Sequence, residues 1–88
     1  MKVIINATAP TSYQHTSLRS FGMDIKKNGN GSFTAKQEFD SKEDAKAYMT
    51  KRAEMYFEDE IDLKDAYADI VHGVLTLDAV TASIEEVD

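Results

Sequence analysis

The chain has no cysteine and no tryptophan, one proline, four glycines and two histidines among its 88 residues. Without thiols, disulfide stapling, thiolate catalysis and cysteine-based zinc sites are excluded. His15 and His72 stand 57 positions apart, so any metal site would have to recruit carboxylates from elsewhere. His72 reads as a helix-end charge partner and His15 as a solvated loop residue. No apolar run approaches the ~20 residues of a membrane span, and Met1-Lys2-Val3-Ile4-Ile5-Asn6 falls short of the ~7–15-residue apolar stretch of a signal peptide. The expected setting is the cytoplasm, with no membrane partner.

What is present is an ordinary globular composition, 42% hydrophobic and 30% charged. The length gives room for one domain over 1–88, with few apolar residues to spare for a pocket. Net charge is −6, and it is unevenly spread. Residues 1–40 carry five bases against three acids, and residues 41–88 carry five against thirteen. Such a chain repels phosphate backbones at long range, so direct nucleic-acid binding is not expected, whereas a basic protein surface would suit it.

Lys2 to Thr8 is rich in β-branched residues and reads as a strand. Ala9 to Ser17 reads as a polar loop. Phe21, Met23 and Ile25 alternate with polar residues and predict a second strand over Leu18–Lys27, and Phe33, Ala35 and Phe39 predict a third. Asn28-Gly29-Asn30-Gly31 between them is a hairpin signal. A four-residue loop would put the two apolar rows on opposite faces. An odd loop or a bulge is therefore expected: 28–30, pairing Ile25 with Phe33, or 28–32, in the register that sets Phe21 against Phe39.

Asp40 and Glu43, or Ser41 and Asp44, have capping-box spacing and open a helix whose stripe is Ala45, Met49, Ala53 and Tyr56. A second helix is predicted from Asp62, with Ile61 and Ala66 as a hydrophobic staple, a stripe of Leu63, Ala66, Tyr67, Ile70 and Val71, and Gly73 as left-handed cap. By their spacing, Tyr48, Tyr56 and Tyr67 belong to the core. Val74 to Ile84 returns to strand-like composition, with a phase change at Asp78-Ala79 that implies a bulge, a turn or a short helix. Residues 84–88 are expected to fray as an acidic tail. The fold class is α+β in the order β-β-β-α-α-β, a largely antiparallel sheet with two helices on one face.

No spacing matches a catalytic or cofactor motif, and no enzyme activity or cofactor is expected. Ser12, Thr16 and Ser17 neighbour His15, but a loop alone holds no triad. The glycines of 28–31 join two strands, whereas phosphate loops lead into a helix. Asp59, Asp62 and Asp65 lack the alternate-ligand pattern of a calcium loop. The feature that remains is acidic density: Glu54, Glu58, Asp59, Glu60, Asp62, Asp65 and Asp69 fall in sixteen positions with one lysine, Lys64. It reads either as a solubilising surface or as an electronegative patch that docks on a basic groove, with Tyr13 as an aromatic anchor.

In element order, residues 1 to about 72 resemble the small acidic anti-CRISPR proteins of phages and mobile elements. Glu38-Phe39-Asp40-Ser41-Lys42-Glu43-Asp44 leads from strand into helix as in one such inhibitor type, and Phe39-Asp40-Ser41 is the part shared in actual residues. Val74 to Asp88 departs from the pattern. The resemblance implies a non-enzymatic inhibitor that binds a bacterial defence complex at a nucleic-acid-binding surface. It carries over no individual binding residue. Two alternatives stand beside it: a domain that self-associates as a homodimer through a sheet edge, and a small ligand-binding domain.

Overall fold

The structure, a computed structural model, describes residues 2–11 and 15–87. It is an α+β fold with eight elements: β1 (Lys2–Ala9), α1 (His15–Arg19), β2 (Ile25–Lys27), β3 (Phe33–Phe39), α2 (Lys42–Tyr56), α3 (Glu60–Val71), β4 (Val74–Leu77) and β5 (Val80–Val87). The five strands form one sheet in the order β2-β3-β1-β5-β4, and every pairing is antiparallel.

Strand alternation sorts the side chains cleanly. Val3, Ile5, Ala7 and Ala9 of β1 face the helices and are buried. Directly opposite Ala7 stand Ala35 on one side and Ala82 on the other. Helix α2 presents Ala45, Met49 and Ala53, so small side chains meet at the centre and let α2 sit close on the sheet. The other face of the sheet carries Asn6, Thr8, Lys36, Glu38, Thr81 and Glu85, and none of the described helices covers it, as antiparallel sheets allow.

The element order differs from expectation at two places. The alternation Phe21, Met23, Ile25 does not make a long strand. Residues His15–Arg19 are helical and continue through bonds from Ser20, Phe21 and Gly22 N–H to Ser17, Leu18 and Arg19 C=O. Gly22 then takes a positive φ of 71°, and a Cβ there would lie 2.7 Å from the Arg52 guanidinium carbon. Phe21 and Met23 are buried by this turn rather than by a pleat. His15 lies in the helix with its ring 4.5 Å from that of Phe33, not in a solvated loop.

The second difference is at the C-terminus, where the phase change is a two-residue turn. Asp78 adopts φ 57°, and Leu77 pairs with Val80. The tail is ordered through Val87: Glu85, Glu86 and Val87 pair with Ile4, Val3 and Lys2. Only Asp88 of that tail lies outside the described residues.

The hairpin has the 28–32 register, with Lys27 opposite Phe33 and Ile25 opposite Ala35. Asn28 Nδ2 donates to Ser32 Oγ and Thr34 Oγ1, both at 2.8 Å, which ties the loop to the strand that follows. Helix α2 is capped by Ser41, whose side chain accepts from Asp44 N–H. Helix α3 starts at Glu60, earlier than predicted, because Asp59 rather than a later residue supplies the cap. His72 is the C-cap of α3, and Gly73 follows with φ 78°.

Candidate protein-docking surface

Helix α2 lies between two neighbours, each tied to it by side-chain bonds. On one flank, Tyr48 Oη donates to Phe21 C=O at 2.6 Å, and Arg52 Nε and Nη2 donate to Ser20 C=O at 3.1 and 2.8 Å. On the other, Lys46 Nζ donates to Val71 C=O at 3.2 Å, and Tyr67 Oη donates to Glu54 Oε2 at 2.8 Å. Both phenols are perturbed: Tyr48 is raised by burial, and Tyr67 is raised first by its bond to Glu54 and then by burial. Helix α3 is thus the outer helix, and the strand it packs on is β4.

At about 3.6 residues per turn, Tyr67 fixes which flank of α3 faces α2. Leu63, Ala66 and Ile70 point to the sheet, and Asp62, Asp65 and Asp69 fall on the flank turned away from α2. Glu60 lies on the Tyr67 side, and Glu58 and Asp59 occupy the connection. All seven acids of the sequence patch are exposed, but they wrap around α3 instead of forming one plane.

Two of them have structural work. Glu54 accepts from Tyr67, and Asp59 Oδ1 accepts from Ile61 N–H at 2.7 Å as the cap. Glu60 and Asp62 sit in the first turn, where the helix dipole favours negative charge. No such reason covers Asp65 and Asp69. Asp69 is near the negative end of α3, whose last turn has no basic residue. Among the described residues, the ion pairs Lys2–Glu38 (2.9 Å) and Lys42–Glu86 (2.8 Å) both lie elsewhere.

The aromatic and aliphatic residues of this region are more exposed than their spacing predicts. Tyr56 and Tyr67 are 40% and 38% exposed, so neither is core, and Tyr48 is half-buried. Ile61, expected as a staple, is 71% exposed beside the acids, and Met55 and Val71 are exposed as well. The hydrophobic pattern concealed this, since a half-buried flank and a buried stripe use the same residue types. Tyr13 lies outside the described residues.

Other chemistry finds little support in the geometry. Ser17 Oγ bonds to Asp78, not to a histidine, and Ser12 lies outside the described residues. Among the described residues no three of His, Asp and Glu are grouped to hold a metal ion. A concavity of about 410 Å³ on the uncovered sheet face is lined by Asp24, Lys26, Asn28, Thr34 and Lys36, none of them buried, so it has no enclosed polar group of the kind that fixes a small-molecule ligand. Among the described residues no helix is long and apolar enough to cross a membrane. Comparison with known protein families, curated proteins and solved structures finds no match to this chain.

Proposed function

We propose that the chain is a small acidic protein-binding module that occupies a basic, nucleic-acid-binding surface of a bacterial defence complex, as an anti-CRISPR-like inhibitor. The observation that carries the reading is the outer flank of α3, where Asp62, Asp65 and Asp69 are exposed and unpaired next to exposed Ile61. The dipole favours Asp62 in the first turn, but like charges at this spacing repel and Asp69 opposes the dipole, so Asp65 and Asp69 do not serve helix stability. A basic partner surface relieves both costs, and Ile61 adds an apolar contact at the margin.

The test is capture of partners from nuclease-treated bacterial lysate at low and at high salt, using the chain and its D62K/D65K/D69K variant. A basic nucleic-acid-handling protein retained at low salt, released at high salt and lost with the variant is the expected outcome. Capture that ignores both salt and charge reversal sinks the reading.

A further inference from the structure

The two edges of the sheet are built differently. At one end β2 is three residues long and carries Lys26 and Lys27, the usual protection of an exposed edge. At the other end β4, Val74-Leu75-Thr76-Leu77, carries no charge and no proline. Its bonding parity is fixed by Ile84 N–H, which donates to Gly73 C=O at 2.8 Å. In an antiparallel pair alternate residues exchange bonds, so Leu75 and Leu77 bond to β5, and Val74 and Thr76 turn their N–H and C=O groups to the open edge.

Above that edge stands the acidic flank of α3. The helix turns back through His72 and Gly73 directly into β4 and packs on it. Asp62 and Asp69 are seven residues apart, about 10 Å of helix, against about 13 Å for the four-residue strand below. We infer that the free edge of β4 takes an extended segment of the partner protein as an additional antiparallel or parallel strand, with Lys or Arg at alternate positions facing Asp62, Asp65 and Asp69. Val74 and Thr76 supply the main-chain bonds. Alternate residues of such a strand lie about 7 Å apart, so two cations cover the acidic flank. A second copy of this chain is the wrong occupant: pairing two β4 edges would set two acidic flanks side by side in molecules that each carry net −6.

This inference rests on the proposed function for the sign of the partner's charge and adds to it the mode of binding. The probe is an acetylated and amidated peptide of alternating Lys and Val, with alternating Glu and Val as its control, titrated into the whole chain at low salt. Amide exchange at Val74 and Thr76 is followed by NMR. The basic peptide is expected to slow exchange at both amides, and Thr76→Pro, which deletes an outward N–H, to weaken binding about tenfold. D62N/D65N/D69N should weaken it too and flatten its salt dependence. No binding by the basic peptide, protection at other amides, or equal binding by the acidic peptide would overturn the inference. So would a dimer of the free chain in which Val74 and Thr76 are already protected. In lysate capture, loss with D62K/D65K/D69K but not with T76P refutes strand addition alone; retention with both variants refutes the docking reading as well.

Discussion

Thr76 and Ser83 stand on the same uncovered face of the sheet, yet a proline should be tolerated at one and not at the other. The register puts Gly73, Leu75 and Leu77 in bonding positions toward β5, which leaves the Thr76 N–H at the open edge. Residues of β5 alternate in the opposite sense: Leu75 and Leu77 take up Ala82 and Val80, so Ser83 bonds across to Asn6 of β1 in the sheet interior. T76P therefore loses the hydroxyl contact between Thr76 and Thr81, 2.9 Å between oxygens, and no ladder bond. Such a cross-strand pair contributes about 0.2–1 kcal/mol. S83P loses a central bond and strands the Asn6 carbonyl, about 1–3 kcal/mol, with a ring pressed against the neighbouring strand in addition. A domain of this size holds roughly 4–13 kcal/mol in total, so S83P removes a large share. Thermal unfolding followed by circular dichroism should show T76P lowering Tm by no more than about 8 °C and S83P by about 10 °C or more. Equal losses would refute the reasoning, because they would mean that β4 is not the free edge or that its parity is shifted by one residue.

Met49 is 1% exposed under α2, whereas Met55 on the same helix is 64% exposed. Met49→Ala should cost about 2–5 kcal/mol, and Met55→Ala less than about 0.5 kcal/mol, in urea unfolding. Stability should also fall at both ends of the pH range. Burial raises the Tyr48 phenol, so above its ordinary value of 10.0 the unfolded chain ionises first and gains on the folded one; Tyr48→Phe should blunt the alkaline loss of Tm. At the acid end Lys42 holds Glu86 below its ordinary 4.5, first through their hydrogen bond and then through its charge. That contribution is present above pH 4.5 and is lost as pH falls through the lowered value, and Glu86→Gln should remove it from the acid limb of a Tm against pH curve.

The features that local physics determines were legible in the residues. Gly73 as left-handed stop is legible outright, and the residues narrow the α2 cap to Asp40 or Ser41 and the hairpin to an odd loop or a bulge, from which the structure selects Ser41 and the 28–32 loop, because each depends on a few neighbouring side chains. The misreadings share a different cause. Phe21 and Met23 satisfy a strand pattern, but Gly22 and the Arg52 guanidinium, thirty positions away, make the segment a turn. Glu85 to Val87 have the composition of a frayed tail and are held as a strand by Lys2 to Ile4 at the other end of the chain. Both depend on partners that no local window contains.

The candidate site divides along the same line. Composition locates the acids, and the stripe Leu63, Ala66 and Ile70 gives the phase of α3, but which acids have local work depends on the cap at Asp59 and on the Tyr67 bond to Glu54, which the stripe does not show. With Asp59 as cap, Ile61 leaves the staple role and joins the exposed side, and Asp62, Asp65 and Asp69 become one flank. That this flank overlooks a free strand is a further step, for strand order is global. Val74-Leu75-Thr76-Leu77 would read the same in the middle of a sheet as at its margin. It is the order β2-β3-β1-β5-β4 that leaves it outermost, and the short connection through Gly73 that keeps α3 directly above it. Charge and unpaired backbone therefore meet at one margin of the molecule through topology, and a partner that answers one has reason to answer the other.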